Sequence, residues 1–219
     1  MARGVIFDVD GTLIDSNDAH ALAWVDALRE HGHHVDFARI RPLIGMGGDK
    51  LLPEVIGVAE DTPEGKAIGE RRADVFRSRH LPDLKPFPKA RELIERLEGD
   101  GKLVTIATSA TEEDLAALLD KAGLCHLVER AASKDDAERS KPDPDIVHAA
   151  VARLGLRPDD VVMVGDTPYD VEAAQRAGIR AIAFRCGGGW GDADFDGATA
   201  IYDGPADLLA RLDESPIAR

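Results

Sequence analysis

Two carboxylates, Asp8 and Asp10, directly follow an apolar, β-branched run near the beginning of the sequence. Such a run predicts a buried parallel strand that carries both acids to the edge of a sheet. Because residues two apart on a strand point the same way, both carboxylates can face one site. Two acids there indicate a metal site or a nucleophile beside a proton donor, with a simple strand end and turn as the alternative. A calcium-binding loop is excluded, because Gly11 comes two places too early and Ala19 replaces the required glutamate.

Polar side chains also follow two later apolar runs that predict strands. Thr108 and Ser109 follow one of these runs, Asp166 follows the other, and Asp170 comes one helical turn later. Lys141 stands just before a predicted helix, where the neighbouring prolines favour an extended backbone. Each residue alone has an ordinary explanation, such as a helix cap, a turn or a surface charge. Because the carboxyl ends of parallel strands share one edge of a sheet, we expect these residues to converge with the first two acids.

Apolar runs and helical patterns alternate along most of the sequence. This alternation predicts an α/β fold with a doubly wound, Rossmann-like parallel sheet. A further short strand is considered at 127–132, and a helix is predicted to begin at Pro144 with Asp143 as its N-cap. The main predicted strands lie near 5–7 and at 103–107, 161–164, 181–184 and 200–202.

Residues 15–85 show only helical patterns and end in a stretch with three prolines in seven residues, 82–88. Such a proline-rich stretch is typical of a stiff linker and a domain boundary. The sequence therefore predicts a small all-helical cap domain, 15–85, inserted after the first strand of a catalytic core formed by 1–14 and 86–219. Within the cap, glycines punctuate the stretch 41–50, which is either a plain turn or a loop that presents a lysine to a substrate.

The 219 residues carry a net charge of −14. This charge argues against nucleic acid and anionic membrane surfaces as partners, because both attract Lys and Arg. It permits a phosphorylated substrate, since a bound divalent cation can reverse the local field. Cys125 and Cys186 show neither metal-ligand spacing nor a disulfide pattern. With no basic leader and no apolar stretch of spanning length, a cytoplasmic location is expected.

Four motifs occur in a fixed order along nearly the whole sequence. They are Asp8-Val9-Asp10-Gly11-Thr12, then Thr108, then Lys141 in Ser-Lys-Pro-Asp-Pro-Asp, and finally Gly165-Asp166 with Asp170. Together they resemble the haloacid dehalogenase superfamily of aspartyl-phosphate-forming hydrolases. The resemblance implies a helical cap after the first strand, whose movement excludes water and selects the substrate.

The acids suit phosphoryl transfer through a covalent intermediate. Asp8 is the candidate nucleophile, because attack by a carboxylate divides one difficult displacement into two easier ones. Asp10 is the candidate acid–base group, which protonates the leaving alcohol and later deprotonates water. A hard divalent cation is expected to balance the clustered acids, and oxygen ligands favour Mg²⁺. Its predicted ligands are Asp8, Asp166 and the backbone carbonyl of Asp10.

The other polar residues of the motifs are candidates for binding the phosphoryl group. Lys141, the Thr108 hydroxyl and backbone N–H groups near Ser109 are predicted to hold its oxygens. Asp170 is predicted to orient Lys141 or a water on the metal. Glycines 187–189, after the fourth predicted strand, are predicted to form a plain loop.

The preferred function is a phosphatase that resembles phosphoglycolate phosphatases and acts on a small phosphorylated metabolite. A sugar-phosphate mutase of the β-phosphoglucomutase type is the alternative, since His20 and Trp24 stand where those enzymes carry a His and a Trp. Phosphonoacetaldehyde hydrolases have a cap lysine in a context like that of Lys50, but they lack an acid at the position of Asp10. A catalytically silent binding protein is the last alternative, and the intact motifs argue against it. The candidate substrate contacts in the cap are His20, Met46, Lys50, Arg72 and Arg77.

Overall fold

The computed structural model describes residues 1–218, which form five strands and nine α-helices. The strands are β1 (Gly4–Phe7), β2 (Leu103–Ile106), β3 (Val161–Gly165), β4 (Arg180–Phe184) and β5 (Ala200–Tyr202). The helices are α1 (Asn17–Glu30), α2 (Phe37–Ile40), α3 (Gly48–Ile56), α4 (Pro63–Val75), α5 (Ala90–Gly99), α6 (Glu112–Ala122), α7 (Asp145–Leu154), α8 (Pro168–Arg176) and α9 (Pro205–Ala210).

The five strands form one parallel sheet in the order β2-β1-β3-β4-β5. The register places Phe7 level with Ile106 of β2 and Val164 of β3, so these three strands end at the same edge. Phe7 belongs to the apolar cluster on one face of the sheet, and Ile6 belongs to the cluster on the other face. Because both faces are covered, β1 and β3 are buried along their whole length, which is why their sequences are continuously apolar. The predicted α/β parallel-sheet fold is confirmed.

Helices α1 to α4 pack around an apolar cluster of their own. Its buried members include Trp24, Leu28, Leu51, Leu52 and Ile68. This third cluster is built from the apolar positions of the helices in the predicted cap, residues 15–85, and is distinct from the two clusters on the sheet.

The chain leaves the core and returns to it at neighbouring points. The Asp15 N–H donates to the Lys85 carbonyl oxygen at 3.0 Å, and the Phe87 N–H donates to the Leu13 carbonyl oxygen at 2.9 Å. The two crossings therefore pair like antiparallel strands. Their pairing brings the two ends of the predicted cap, residues 15–85, side by side.

Two local predictions differ from the structure. Cys125–Arg130 is a 3₁₀ helix rather than a strand, and only Ala132 bridges to the end of β2. Helix α7 begins at Asp145, with Pro144 in the N-cap position, one residue later than predicted. The reason is that the Asp143 carboxylate accepts a hydrogen bond from the Lys50 ammonium at 2.5 Å instead of capping the helix.

Among residues 1–218, no helix combines the length and the apolar character that crossing a membrane requires.

Candidate active site

A tight turn after β1 aims Asp8 and Asp10 into the site. The N–H groups of Thr12, Leu13 and Ile14 all point to the Val9 carbonyl oxygen, at 2.9 to 3.2 Å. The turn requires a positive φ of 76° at residue 11, which glycine adopts without strain. A side chain there would also overlap the Asp166 carboxylate, so the two motifs pack directly against each other.

Three carboxylates and one ammonium meet at the ends of β1 and β3. One carboxylate oxygen from each of Asp8, Asp166 and Asp170 lies within 4.8 Å of the other two. Lys141 stands among them, with Nζ at 2.6 Å from Asp8 Oδ1 and at 2.7 Å from Asp170 Oδ1. Its side chain is only 1% exposed. The structure therefore brings together four residues that the sequence predicts to converge, with Asp170 orienting Lys141.

This cluster carries more negative charge than Lys141 can balance. Burial raises the pKa of Asp8 well above its ordinary value, although the Lys141 charge opposes the shift. Burial, together with the charge of Asp170, raises the pKa of Asp166 to about 7. Burial lowers the pKa of Lys141, but the charges of Asp170 and Asp8 outweigh it and raise the pKa overall. Clustered carboxylate oxygens with an excess of negative charge fit a hard divalent cation.

Hydrogen bonds fix the orientation of the Asp166 carboxylate. Thr12 Oγ1 donates to Asp166 Oδ1 at 2.9 Å, and Asn17 Nδ2 donates to Asp166 Oδ2 at 2.8 Å. The loop after β4 also packs on this carboxylate, because a side chain at Gly187 would overlap it. The prediction that glycines 187–189 form a plain loop is therefore wrong for Gly187. The sequence does not predict the contact of Asn17 with Asp166, because asparagine is common at the start of a helix for reasons of capping alone.

The Asp10 carboxylate is held apart from the three-carboxylate cluster. Asp10 Oδ1 accepts a hydrogen bond from Ser16 Oγ at 2.5 Å, and it lies 2.8 Å from His20 Nε2. The His20 ring stacks on Phe76, with ring centroids 3.9 Å apart. Burial would raise the pKa of Asp10, but the charge and hydrogen bond of His20 and the Ser16 hydroxyl bring it below the ordinary value. Two neighbouring acids of one motif thus have opposite pKa shifts, because Asp8 is buried among other carboxylates and Asp10 is paired with His20.

A chamber of about 50 Å³ lies over these acids. Its core side is formed by Asp8, Asp10, Thr108 and Ser109, and its cap side includes His20, so these candidate residues lie around one space. The Thr108 hydroxyl accepts a hydrogen bond from the Ala110 N–H at 3.1 Å, which fixes the loop after β2. Further cap residues that line the chamber are Trp24, Ile44, Gly45, Met46 and Arg72.

Lys50 is not among the residues that line this chamber in the described part of the chain. Its ammonium pairs with Asp143, on the loop that carries Lys141. The adjacent Asp49 carboxylate accepts a hydrogen bond from the Ser140 hydroxyl, and the Gly47 N–H donates to Ser140 Oγ at 3.0 Å. The segment 47–50 therefore contacts the Lys141 loop rather than the phosphoryl chamber.

The cap also contacts the loop after β4. Arg41 Nη2 donates a hydrogen bond to the carbonyl oxygen of Gly187, and Arg41 Nε pairs with an Asp18 carboxylate oxygen at 2.6 Å. Nearby, the Tyr169 hydroxyl donates to the Pro42 carbonyl oxygen at 2.8 Å. The sequence contained no signal for these contacts. Two of them join residues more than a hundred positions apart, and the third joins residues that lie outside the motifs.

Known proteins resemble the chain over nearly its whole length. The family described as haloacid dehalogenase-like hydrolase matches residues 5–184. The "Probable phosphatase IndB" of Dickeya dadantii is 33% identical over 229 residues, which cover 98% of this chain and 97% of that protein. A phosphoglycolate phosphatase of Rhodospirillum rubrum is 29% identical, with 95% and 90% covered. A solved hydrolase structure from Pseudomonas syringae is 30% identical, with a TM-score of 0.90 and with 97% of this chain and 98% of that chain covered.

Proposed function

Because the chain belongs to the haloacid dehalogenase-like hydrolase family and is a phosphoric monoester hydrolase, we propose that it forms an aspartyl-phosphate on Asp8. The observation that carries the proposal is the position of Asp8, on the wall of a small chamber and 2.6 Å from the Lys141 ammonium. The substrate is a small phosphomonoester. The relatives include a phosphoglycolate phosphatase and a fructose-1-phosphate phosphatase. We therefore propose that the substrate of this chain is a phosphorylated small acid or a sugar phosphate.

In the first step, a carboxylate oxygen of Asp8 attacks the phosphorus atom, and an O–P bond forms while the ester P–O bond breaks. The leaving alcohol oxygen takes a proton from the Asp10 carboxyl. His20 holds Asp10 ionised in the described conformation. The negative charge of an arriving phosphate raises the pKa of a nearby carboxyl, which favours the protonated Asp10 that this step needs.

In the second step, the Asp10 carboxylate accepts a proton from water. The water oxygen attacks the phosphorus atom, the bond to Asp8 breaks, and inorganic phosphate leaves. The two steps use the same acid–base group in opposite directions. The separate environment of Asp10, with Ser16 and His20 as partners, suits this role.

The chain's own donors hold the phosphoryl oxygens during both steps. Lys141 pairs with Asp8. Thr108, Ser109 and Ala110 line the chamber, where the Thr108 hydroxyl and the backbone N–H groups near Ser109 would hold the phosphoryl oxygens. Asp170 keeps the Lys141 ammonium in place through the hydrogen bond of 2.7 Å.

We propose Mg²⁺ as the cofactor, held by Asp8, Asp166 and the carbonyl oxygen of Asp10, with Asp170 as a fourth acidic neighbour. The ion supplies positive charge that keeps the nucleophile ionised and neutralises the phosphoryl group. The oxygen-only donor set and the raised pKa values of Asp8 and Asp166 support this choice.

The test is phosphate release from a panel of phosphomonoesters, measured with Mg²⁺ and with EDTA. Wild type is expected to turn over in Mg²⁺ and to stop in EDTA, and Asp8→Asn is expected to lose turnover. Asp159→Asn, which makes the same chemical change on an exposed turn, is the matched control and is expected to behave like wild type.

Two results contradict the proposal. Turnover that survives in Asp8→Asn means that another residue or water is the nucleophile. Conversion of one sugar phosphate to its isomer, without release of inorganic phosphate, identifies the enzyme as a mutase instead.

A further inference from the structure

A second, larger cavity adjoins the phosphoryl chamber on its cap side. Its volume is about 520 Å³, against about 50 Å³ for the chamber. The two spaces are adjacent, because they share the lining residues Trp24, Met46, Arg72 and Ser109. If the phosphoryl group occupies the chamber, the rest of the ester extends into the larger cavity. A volume of this size is in the range of sites for whole metabolites, and it greatly exceeds the needs of a two-carbon leaving group.

Arg72 is the inner cation at the junction of the two spaces. Its Nε and Nη1 are buried and make no hydrogen bond within residues 1–218. The nearest carboxylate oxygen, on Asp114, lies 3.8 Å from Nη1, beyond hydrogen-bond distance. Asp114 is already engaged, because it accepts a hydrogen bond from Arg77 at 2.6 Å. Buried guanidinium N–H groups without partners are costly, so they point to a ligand that accepts hydrogen bonds.

The walls of the larger cavity carry no excess of positive charge. Four carboxylates and four cations line it, and some of them neutralise each other. Lys134, for example, donates to Glu60 at 2.5 Å. A second strong anion on the substrate would face these carboxylates. Hydroxyl groups suit such a wall better, because each can accept from a guanidinium and donate to a carboxylate.

An apolar surface lies beside these polar groups. The Trp24 ring lines the cavity, and the Arg72 guanidinium carbon lies 5.3 Å from its centre. The ring thereby holds Arg72 in place by a cation–π contact.

We propose that the larger cavity binds the uncharged, polyhydroxylated leaving group of a sugar or polyol phosphate, with Arg72 donating hydrogen bonds to its hydroxyls. This inference rests on the proposed phosphatase function and narrows its substrate class. It makes Arg72 a specificity-determining residue, because its unpartnered N–H groups lie at the junction of the chamber and the larger cavity.

The first test compares kcat/KM for hexose phosphates with kcat/KM for phenyl phosphate, which lacks hydroxyls. The ratio of the two is expected to fall about tenfold or more in Arg72→Met, as for the loss of a hydrogen bond to a charged group. The matched control is Arg71→Met on the same helix, because Arg71 pairs with Glu30 at 2.5 Å on the surface. This control is expected to keep the ratio of wild type.

The second test changes the size of the cavity without touching a charged group. Gly69 lines the larger cavity one helical turn before Arg72, and a Cβ atom there would meet nothing within 4 Å. Gly69→Leu is expected to lower the same ratio about tenfold by filling the space, and Gly69→Ala is expected to lower it far less. Because both replacements favour the helix, a folding failure is not expected to imitate this result.

The outcomes separate the inference from the function on which it rests. If wild type hydrolyses phenyl phosphate or phosphoglycolate but no sugar or polyol phosphate, the enzyme is a phosphatase and the proposed substrate class is wrong. If Arg72→Met lowers kcat/KM equally for hexose phosphates and phenyl phosphate, Arg72 does not bind the hydroxyls of the leaving group, and the inference is wrong. If wild type hydrolyses no ester at all, both proposals fail.

Discussion

At the scale of single residues, the chemistry depends on Lys141 balancing buried carboxylates. Its ammonium contacts Asp8 and Asp170, while Asp166 completes the cluster without a lysine contact of its own. Lysine fits this position because it is a compact charge with three donors, so it can serve two carboxylates at once. The same charge opposes the rise of the Asp8 pKa, so in the proposed mechanism stability and catalysis both depend on one side chain.

Replacing Lys141 by Met is expected to abolish turnover and to lower the free energy of unfolding by about 3 kcal/mol in EDTA, because removal of one partner leaves buried charges unpaired. The loss is expected to be smaller in Mg²⁺, since the cation replaces part of the missing charge. Urea denaturation with and without Mg²⁺ measures both values. The control is Lys89→Met in an exposed pair with Glu92, which is expected to change stability by less than about 1 kcal/mol. Equal losses in the two variants would contradict the assigned role.

Because Gly187 has no side chain, the Asp166 carboxylate can occupy the space beside it. Gly187→Ala is expected to displace this carboxylate and to raise the Mg²⁺ concentration for half-maximal activity about tenfold, as for other disturbances beside metal ligands. Titration of activity with Mg²⁺ gives the value. In the same loop, a Cβ atom at Gly191 would meet no atom closer than 3.7 Å, so Gly191→Ala is the matched control. An unchanged Mg²⁺ requirement in Gly187→Ala would exclude Asp166 as a metal ligand.

At the scale of elements, the segment 47–50 at the start of α3 contacts the loop that carries Lys141. The contacts are the Lys50–Asp143 ion pair and the hydrogen bonds of Ser140 with Asp49 and Gly47. They join a cap helix to the residues on either side of Lys141. The position of the cap is thus connected to the loop that carries Lys141.

A double-mutant cycle with Lys50→Met and Asp143→Asn tests the energy of this contact. A coupling energy of about 0.5–1 kcal/mol is expected, because both side chains are partly shielded from water. Urea denaturation of the four proteins supplies the free energies. If Lys50 instead formed a Schiff base with substrate, Lys50→Met would abolish turnover. The ion pair predicts that turnover remains and that KM or kcat changes only moderately.

The elements that the sequence predicts best are those whose pattern is local. Strand β1 and its two acids follow from a short apolar run, and the cap follows from helical spacing across residues 15–85. The segment at Cys125–Arg130 has a short apolar pattern that suits either a strand or a helical turn, and the wrong one was predicted. The start of α7 was misplaced by one residue because Asp143 binds Lys50, which is 93 positions away.

The same distinction holds within the site. The motif residues Asp8, Lys141 and Asp166 were predicted because each follows or precedes an element at a fixed position. The partners Asn17 and Gly187 were not predicted, since only the folded chain brings them to Asp166.

At the scale of the whole molecule, the net charge of −14 and the cluster of buried acids both favour a bound divalent cation. An ion that binds only the folded state at about 100 times its Kd adds about 2.7 kcal/mol to the free energy of unfolding. Mg²⁺ is therefore expected to raise the Tm by about 5–10 °C. Differential scanning fluorimetry measures the shift, with NaCl at matched ionic strength as the control. Asp166→Asn is expected to reduce the shift, and an equal shift with NaCl would mean general screening instead of a site.

The paired crossings between residues 13–15 and 85–87 have a consequence for how such a molecule can change over evolution. Because the chain leaves and re-enters the sheet domain at points joined by backbone hydrogen bonds, the ends of the inserted segment lie side by side. An insert with adjacent ends can be lengthened, replaced or exchanged without moving the strands around it. The reaction and the choice of substrate can therefore diverge independently, and a chimera that carries another relative's residues 16–84 should fold and hydrolyse that relative's substrate.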